Sequence, residues 1–183
     1  TYERVGVALQ ESFHLSFPYI FQYEGKHYLL PETSKNDDIR IYECINFPLE
    51  WKLKKILMKE VNSLDNMVFK YDNLWWLFCN LCIFDKDKSS SELSIYYSEN
   101  GPLTDKWIPH KKNPLITNSN ISRNAGLIFD KKDVFRVSQS SNFMDYGNKF
   151  QINKIIDLSL DNYTEEAFHK ISPLFKKNIS GTH

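Results

Sequence analysis

The chain has 183 residues, which is long enough for one domain with a sizeable core. Its 23 basic and 23 acidic residues give a formal net charge of zero, which argues against a protein that binds nucleic acid by neutralising phosphates. No apolar run approaches the roughly 18 residues of a membrane-spanning helix, so we expect no membrane span.

Aromatic residues make up 15% of the chain, with 13 Phe, 10 Tyr and 4 Trp. Such a composition is typical of β-structure, because aromatic side chains fit the pleated surface of a sheet. Aromatic rings also stack on sugar rings in carbohydrate sites. Core packing is the commoner role for any one of these residues, so composition alone does not decide between the two.

The chain contains three cysteines, Cys44, Cys79 and Cys82, an odd number that gives no disulfide framework. Cys79 and Cys82 form a CxxC pair, but no second pair follows that could complete a zinc site. Redox-active CxxC pairs lie at the start of a helix, whereas this pair lies at the end of a predicted strand. We therefore expect reduced thiols, which favour a cytoplasmic location. The sequence predicts no set of metal ligands and no cofactor. A metal ion such as calcium in the channel of the fold stays an open alternative.

Two β-hairpins with matching sequences lead the chain. Residues 17–34 (FPYIFQYEGKHYLLPETS) read as a strand, a turn at Glu24-Gly25 and a second strand. Residues 65–82 (DNMVFKYDNLWWLFCNLC) align with them without gaps and turn at Asp72-Asn73. The sequence therefore predicts the same hairpin twice.

The match continues past each hairpin. Alternating third strands are predicted at 39–43 and 93–97, and each is followed by a turn that closes on a Trp. A weaker third copy begins at 124–129, and its alignment places Ala125 over Phe17 and Asp65. Its third strand is predicted at 149–156. The acidic stretch YTEEAFHK, residues 163–170, is predicted as two helical turns capped by Thr164.

Four short strands in about 50 to 60 residues are typical of a propeller blade. We expect an all-β propeller that is incomplete in this chain, because three copies are too few for a closed ring. Another domain or blade would have to complete it. The predicted units are the end of a preceding blade at 1–13, blades at 14–60, 61–115 and 116–172, and the start of a further blade at 173–183.

Polar residues at the strand ends are the candidate functional residues, because the innermost strands of a propeller end at one mouth of its channel. Asp65 and Glu32 could serve as the paired carboxylates of glycoside hydrolysis, or each could cap a turn or pair with an arginine. Arg136 lies in an apolar strand and needs an acidic or phosphate partner. The candidates for substrate binding are His14, Thr33, Arg123, Asn124, Arg136 and Gln139.

Four stretches of the chain together resemble the N-terminal domain of glucosamine inositolphosphorylceramide transferases. The resemblance covers nearly the whole chain. The stretches are Phe13–Phe21 with Leu30–Ser34, Leu64–Phe69 with Trp75–Phe78, Arg123–Phe129 with Arg136–Gln139, and the final Gly181-Thr182-His183.

This resemblance implies a five-bladed propeller related to glycoside hydrolase family 43, whose enzymes use an Asp, a second Asp and a Glu on three blades. The first-blade motif ADPF is absent here, Asp65 is the only matching inner-strand acid, and Asn124-Ala125 stands where the Glu would open a strand. We therefore expect a carbohydrate-recognition or accessory domain of a sugar-modifying protein, with a carbohydrate or sugar-containing acceptor as partner. The alternatives are a glycoside hydrolase or transferase completed by a missing blade, and a protein-interaction propeller.

Overall fold

In the computed structural model, residues 3–82, 92–142 and 145–172 can be described. Within these ranges the chain is all-β, with twelve strands, no α-helix and one short 3₁₀ turn at Ser34–Asn36. The strands form three four-stranded antiparallel sheets, each a meander in chain order. These are the blades of a propeller fold, as the repeat predicts. No helix in the described ranges has the length and apolarity to cross a membrane.

The strand bounds follow the repeat. The first sheet contains β1 (Ser16–Tyr23), β2 (Lys26–Glu32), β3 (Asp38–Asn46) and β4 (Glu50–Lys59). The second sheet contains β5 (Ser63–Tyr71), β6 (Leu74–Leu81), β7 (Glu92–Ser98) and a two-residue β8 (Ile108–Pro109). The third sheet contains β9 (Arg123–Asp130), β10 (Asp133–Asn142), β11 (Asp145–Leu158) and β12 (Tyr163–Ile171).

The hairpin turns form where the sequence predicts them. Both turn residues have positive φ in the first two sheets, at 47° and 74° for Glu24-Gly25 and at 46° and 64° for Asp72-Asn73. Two consecutive residues with positive φ match the twist of the flanking strands, and short polar residues and glycine tolerate this conformation best. The turns therefore fix the register of each inner hairpin.

The hydrophobic core lies between successive sheets. Phe21, Leu30 and Ile41 of the first sheet pack against Val68 and Leu77 of the second. The opposite face of the second sheet then packs against the third sheet, through side chains that include Phe69, Trp76, Phe78, Val134 and Ile155. The second sheet is thus buried on both faces, which explains why both faces of β5 and β6 are apolar.

The helical prediction for residues 163–170 is wrong, because this stretch is strand β12. It pairs with β11 along its whole length, from Leu158–Tyr163 to Phe150–Ile171. Of the two acidic residues that resemble a helical first turn, Glu166 is exposed and Glu165 pairs with Arg136 of β10. Tertiary pairing here outweighs a weak local propensity. Of the predicted flanking units, residues 3–13 contain no strand, and the blade start at 173–183 lies outside the described residues.

Candidate functional site

The polar strand ends of each sheet lie at one edge, because the first strand begins where the second strand ends. Ser16 pairs with Glu32 in the first sheet, and Arg123 pairs with Gln139 in the third. In the second sheet the same place is taken by Leu64 and Asn80. The antiparallel hairpins therefore gather most of the predicted site residues at this edge.

A β-bulge follows at this edge in every sheet. In the first two sheets it contains Phe17 and Asp65, whose φ angles of 45° and 46° are left-handed. In the third sheet the register places Asn124, and not the aligned Ala125, opposite the equivalent part of the second strand. Bulges re-aim side chains next to functional sites. Phe17, Asp65 and Asn124 are thus the equivalent residues, and Asp65 is the acid among them.

Asp65 and Arg123 form a buried ion pair between the second and third sheets. The two residues are 3% and 5% exposed, and Arg123 Nε donates to Asp65 Oδ2 at 2.5 Å. Asn124 Nδ2 donates to the backbone carbonyl of Asp65 at 3.1 Å. The structure therefore joins three of the predicted residues directly.

Asn80, at the end of β6, completes this connection and was missed by the sequence analysis. Its Nδ2 donates to the Ser122 carbonyl at 2.8 Å, and its Oδ1 accepts from the Asn124 N–H at 2.7 Å. Gln139 Nε2 donates to the Asn124 carbonyl at 3.0 Å. An Asn at the end of an otherwise apolar predicted strand is the sequence signal that could have identified Asn80, which the structure buries completely. We refer to Asp65, Asn80, Arg123, Asn124 and Gln139 as the strand-end network.

Two polar atoms around the strand-end network have no hydrogen-bond partner within the described residues. They are Oε1 of Gln139 and Nδ2 of Asn66, and both belong to residues that are at most 3% exposed. Buried amide groups are normally satisfied by protein or by ordered water. Among the residues described, these two amide groups are therefore the unsatisfied polar groups next to the network.

Arg136 is fully buried, and its acidic partner is Glu165 of β12. Arg136 Nε and Nη2 donate to the two Glu165 oxygens at 2.8 and 2.6 Å, and Nη2 also donates to the Ile121 carbonyl at 2.7 Å. Burial lowers the pKa of Arg136, but the charge and hydrogen bonds of Glu165 outweigh it, so the pKa is raised. A weaker bond from Nη1 to Asn124 Oδ1, at 3.3 Å, links this pair to the strand-end network.

The remaining candidates lie in the first sheet or before it. The Glu32 carboxylate accepts from Ser34 Oγ at 2.9 Å, and both residues are buried. Thr33 is buried and donates to the Asp38 carbonyl at 2.6 Å, which closes the turn into β3. His14 is exposed and precedes β1. Glu32 and Thr33 thus have structural partners at the end of β2.

The chain matches a known family over almost its whole length. The family, described as "Glucosamine inositolphosphorylceramide transferase 1, N-terminal", matches residues 1–178. Glucosamine inositolphosphorylceramide transferase 1 of Oryza sativa subsp. japonica is 37% identical over 168 residues, and that of Arabidopsis thaliana is 35% identical. The alignments cover 90% of this chain but only 22% and 21% of those proteins. The chain thus spans about a fifth of the length of these curated relatives.

Solved structures with the same fold are glycoside hydrolases. A family 43 enzyme from Xanthomonas citri, in complex with xylotriose, superposes with a TM-score of 0.66 and 8% identity over 91% of this chain and 58% of the enzyme. An exo-β-1,3-galactanase from Phanerochaete chrysosporium, in complex with galactose, gives a TM-score of 0.62 and 11% identity, covering 91% of this chain and 42% of the enzyme. At such identities the likeness shows the β-propeller fold alone.

Proposed function

This chain belongs to the glucosamine inositolphosphorylceramide transferase 1 N-terminal family, and from that membership we propose that it is a carbohydrate-recognition domain. In this role it holds a sugar-containing acceptor for a sugar-modifying enzyme. Two findings support the proposal: the relatives are glucosamine inositolphosphorylceramide transferases, and solved structures of this fold hold xylotriose or galactose.

The strand-end network is the observation that carries this proposal. It places a carboxylate, a guanidinium and three amides at the edge where the inner strands begin. Carboxylates and amides are the groups that hydrogen-bond sugar hydroxyls, because they offer both donors and acceptors. The buried amide atoms of Gln139 and Asn66 that lack protein partners add donor and acceptor capacity beside it.

Recognition fits these residues better than hydrolysis. A hydrolase needs two carboxyl groups flanking the scissile bond, one of which must donate a proton. The Asp65 carboxylate accepts a hydrogen bond from a buried guanidinium, which favours its charged form. The equivalent positions in the other two sheets carry Phe17 and Asn124, which cannot serve as acids. Hydrolysis would thus depend on Glu32 or on an acid from another blade.

The third sheet presents an apolar face that a further blade would cover. Phe69, Trp76 and Phe78 of the second sheet pack against the third sheet and are at most 4% exposed. The register places Ile128 and Phe135 at the equivalents of Phe69 and Trp76, and Ile128 is 43% exposed. We call this surface the open face of the third sheet. Its residues are Ile128, Phe135, Val137, Ile152 and Phe168.

The open face and the fold together support completion of the ring by an additional sheet. Each of the first two sheets buries its equivalent face against the next one, so the repeat itself defines what the partner surface must be. The superposed hydrolases extend well beyond the region that matches this chain. We therefore propose that a further blade of the longer protein covers this face.

Glycan-array binding, followed by titration calorimetry on the best neutral, amino and acidic sugars, tests the proposed function. Wild type should bind at least one class, and Asp65→Asn and Gln139→Met should each weaken that binding at least tenfold. Asp105→Asn removes an exposed carboxylate elsewhere and should leave binding unchanged. A folded wild type that binds no glycan would overturn carbohydrate recognition and favour a protein-interaction propeller.

A further inference from the structure

A long groove runs along the third sheet, beside the strand-end network but lined by other residues. One wall is the loop before β9, at residues 115–121, and the other wall is formed by β11 and β12. Two adjoining cavities of about 380 and 440 Å³ make up the groove, and they share Ile121, Gln151 and Ala167. Their size suits a short oligosaccharide, since pockets for small ligands measure about 300 to 1,000 Å³.

The two walls are fixed to one another before any ligand binds. The loop is tied to β7 by backbone hydrogen bonds between Leu93 and Ile116 at 2.9 Å and between Leu115 and Leu93 at 2.7 Å. Arg136 holds the Ile121 carbonyl of the loop and the Glu165 carboxylate of β12 with the same guanidinium. A preformed groove does not have to be ordered on binding, which lowers the cost of recognition.

The lining of the groove combines amides, apolar side chains and two cations. Asn118 and Asn120 come from the loop, and Gln151 comes from β11. Ile121 and Ala167 supply apolar surface beside them. The exposed ammonium groups of Lys149 and Lys170 flank the same cavity, and among the described residues neither forms an ion pair. Two such cations on one cavity attract a carboxylate or a phosphate.

We propose that this groove binds an acidic saccharide, with its anionic group between Lys149 and Lys170. Sugar hydroxyls then hydrogen-bond the amides of Asn118 and Gln151, and Ile121 and Ala167 pack against the apolar part of the sugar. The inference rests on the proposed carbohydrate recognition but assigns a second site, distinct from the strand-end network. It also gives the Arg136–Glu165 pair a positioning role, because this pair holds the two walls together.

Titration calorimetry on the folded chain tests the groove with three probes. They are a galacturonic acid trisaccharide, its methyl ester, which has the same size without charge, and glucose 6-phosphate. Wild type should bind an acidic probe at least tenfold more tightly than the ester. Preference for the trisaccharide over glucose 6-phosphate would identify a carboxylate as the anionic group, and the reverse would identify a phosphate.

The double variant Lys149→Gln/Lys170→Gln should lose the preference for acidic probes. The matched control is Lys70→Gln/Lys132→Gln, which removes two exposed lysines outside the groove, one near the end of β5 and one in the turn before β10. It should bind within twofold of wild type. Equal losses in both double variants would show general electrostatic attraction and overturn the groove. Acidic binding that depends on Asp65 and not on these lysines would overturn the groove and leave carbohydrate recognition standing. No glycan binding by wild type would overturn both.

Discussion

Phe17 and Asp65 occupy equivalent positions in successive sheets, and each reaches toward the next sheet from a left-handed backbone conformation. Phe17 of the first sheet packs against the core between the second and third sheets, and Asp65 of the second sheet pairs with Arg123 of the third. A φ near +45° is unfavourable for Phe and tolerated by Asp. Because both residues adopt it, the conformation belongs to the bulge of the first two sheets and not to one side chain.

Replacing Asp65 with Asn should destabilise the fold by about 3 to 5 kcal/mol, because it leaves the buried Arg123 charge without its carboxylate. Asn tolerates the left-handed backbone, so the change tests the charge and not the bulge. Urea denaturation would measure the free energy of unfolding.

Asp105→Asn is the matched control for this variant. Asp105 pairs with Lys55 through a carboxylate that is 91% exposed, and such surface pairs contribute about 1 kcal/mol at most. Similar small losses in both variants would contradict a stabilising role for the Asp65–Arg123 pair.

Replacing Arg136 with Leu should cost about 3 to 5 kcal/mol, although Leu77 occupies the equivalent place in the second sheet. Leu can fill the space, but it leaves the Glu165 charge buried without its cation, with only the Tyr163 hydroxyl as a donor among the described residues, and it removes the donor to the Ile121 carbonyl. Adding Glu165→Gln should therefore recover part of the loss, and a double-mutant cycle in urea would measure the coupling.

The Lys154–Asp133 ion pair provides the comparison within the same sheet. Its side chains are 37% and 36% exposed, so Lys154→Met should cost less than about 1 kcal/mol. If Arg136→Leu cost no more than Lys154→Met, the buried pair would not be holding the groove walls.

The inner hairpins could be predicted because their information is local. Alternating apolar residues set the strands, and Glu24-Gly25 and Asp72-Asn73 set the turns, so register followed from residues a few positions apart. The position of Asp65 in its network followed from the same register. The repeat then supplied the arrangement of sheets, because each hairpin buries one face against its neighbour.

The rest depended on contacts that are distant in sequence. Glu165 binds Arg136 from 29 positions away in the sequence. The residues of β12, which contains Glu165, resemble a helix, and only their pairing with β11 makes them a strand. The sequence alignment placed Ala125 over Asp65. The strand register instead places Asn124 there. Asn124 was predicted as a site residue, but a one-residue shift at the bulge hid its equivalence to Asp65.

Stability should fall steeply above pH 9 because of Cys79. Burial raises the pKa of this thiol to about 12, and a hydrogen bond with Ser63 only partly offsets the effect. The unfolded thiol ionises from about pH 9 while the folded thiol stays protonated. Between pH 9 and 12 the group therefore removes about 1.4 kcal/mol of stability per pH unit.

Urea denaturation of wild type and Cys79→Ala between pH 8 and 11 checks this dependence. Burial also raises the pKa of Tyr19 and Tyr42, so both proteins should lose stability at high pH, but the variant should lose less per pH unit. Cys44→Ala, which keeps the buried thiol, should follow wild type. Parallel curves for wild type and Cys79→Ala would refute the assignment to Cys79.

The open face of the third sheet should make the isolated chain self-associate. Phe168 of β12 is 68% exposed and lies 5.2 Å from Phe135, ring centroid to ring centroid, on this face. Exposed apolar surface of this kind associates in water. Phe168→Glu should therefore shift the chain toward monomer in sedimentation velocity runs at increasing concentration. Phe47→Glu, which changes a 60% exposed Phe of the first sheet, should not. A wild type that stays monomeric at every concentration would show that this face needs no cover, and would remove the main support for a further blade packed against it.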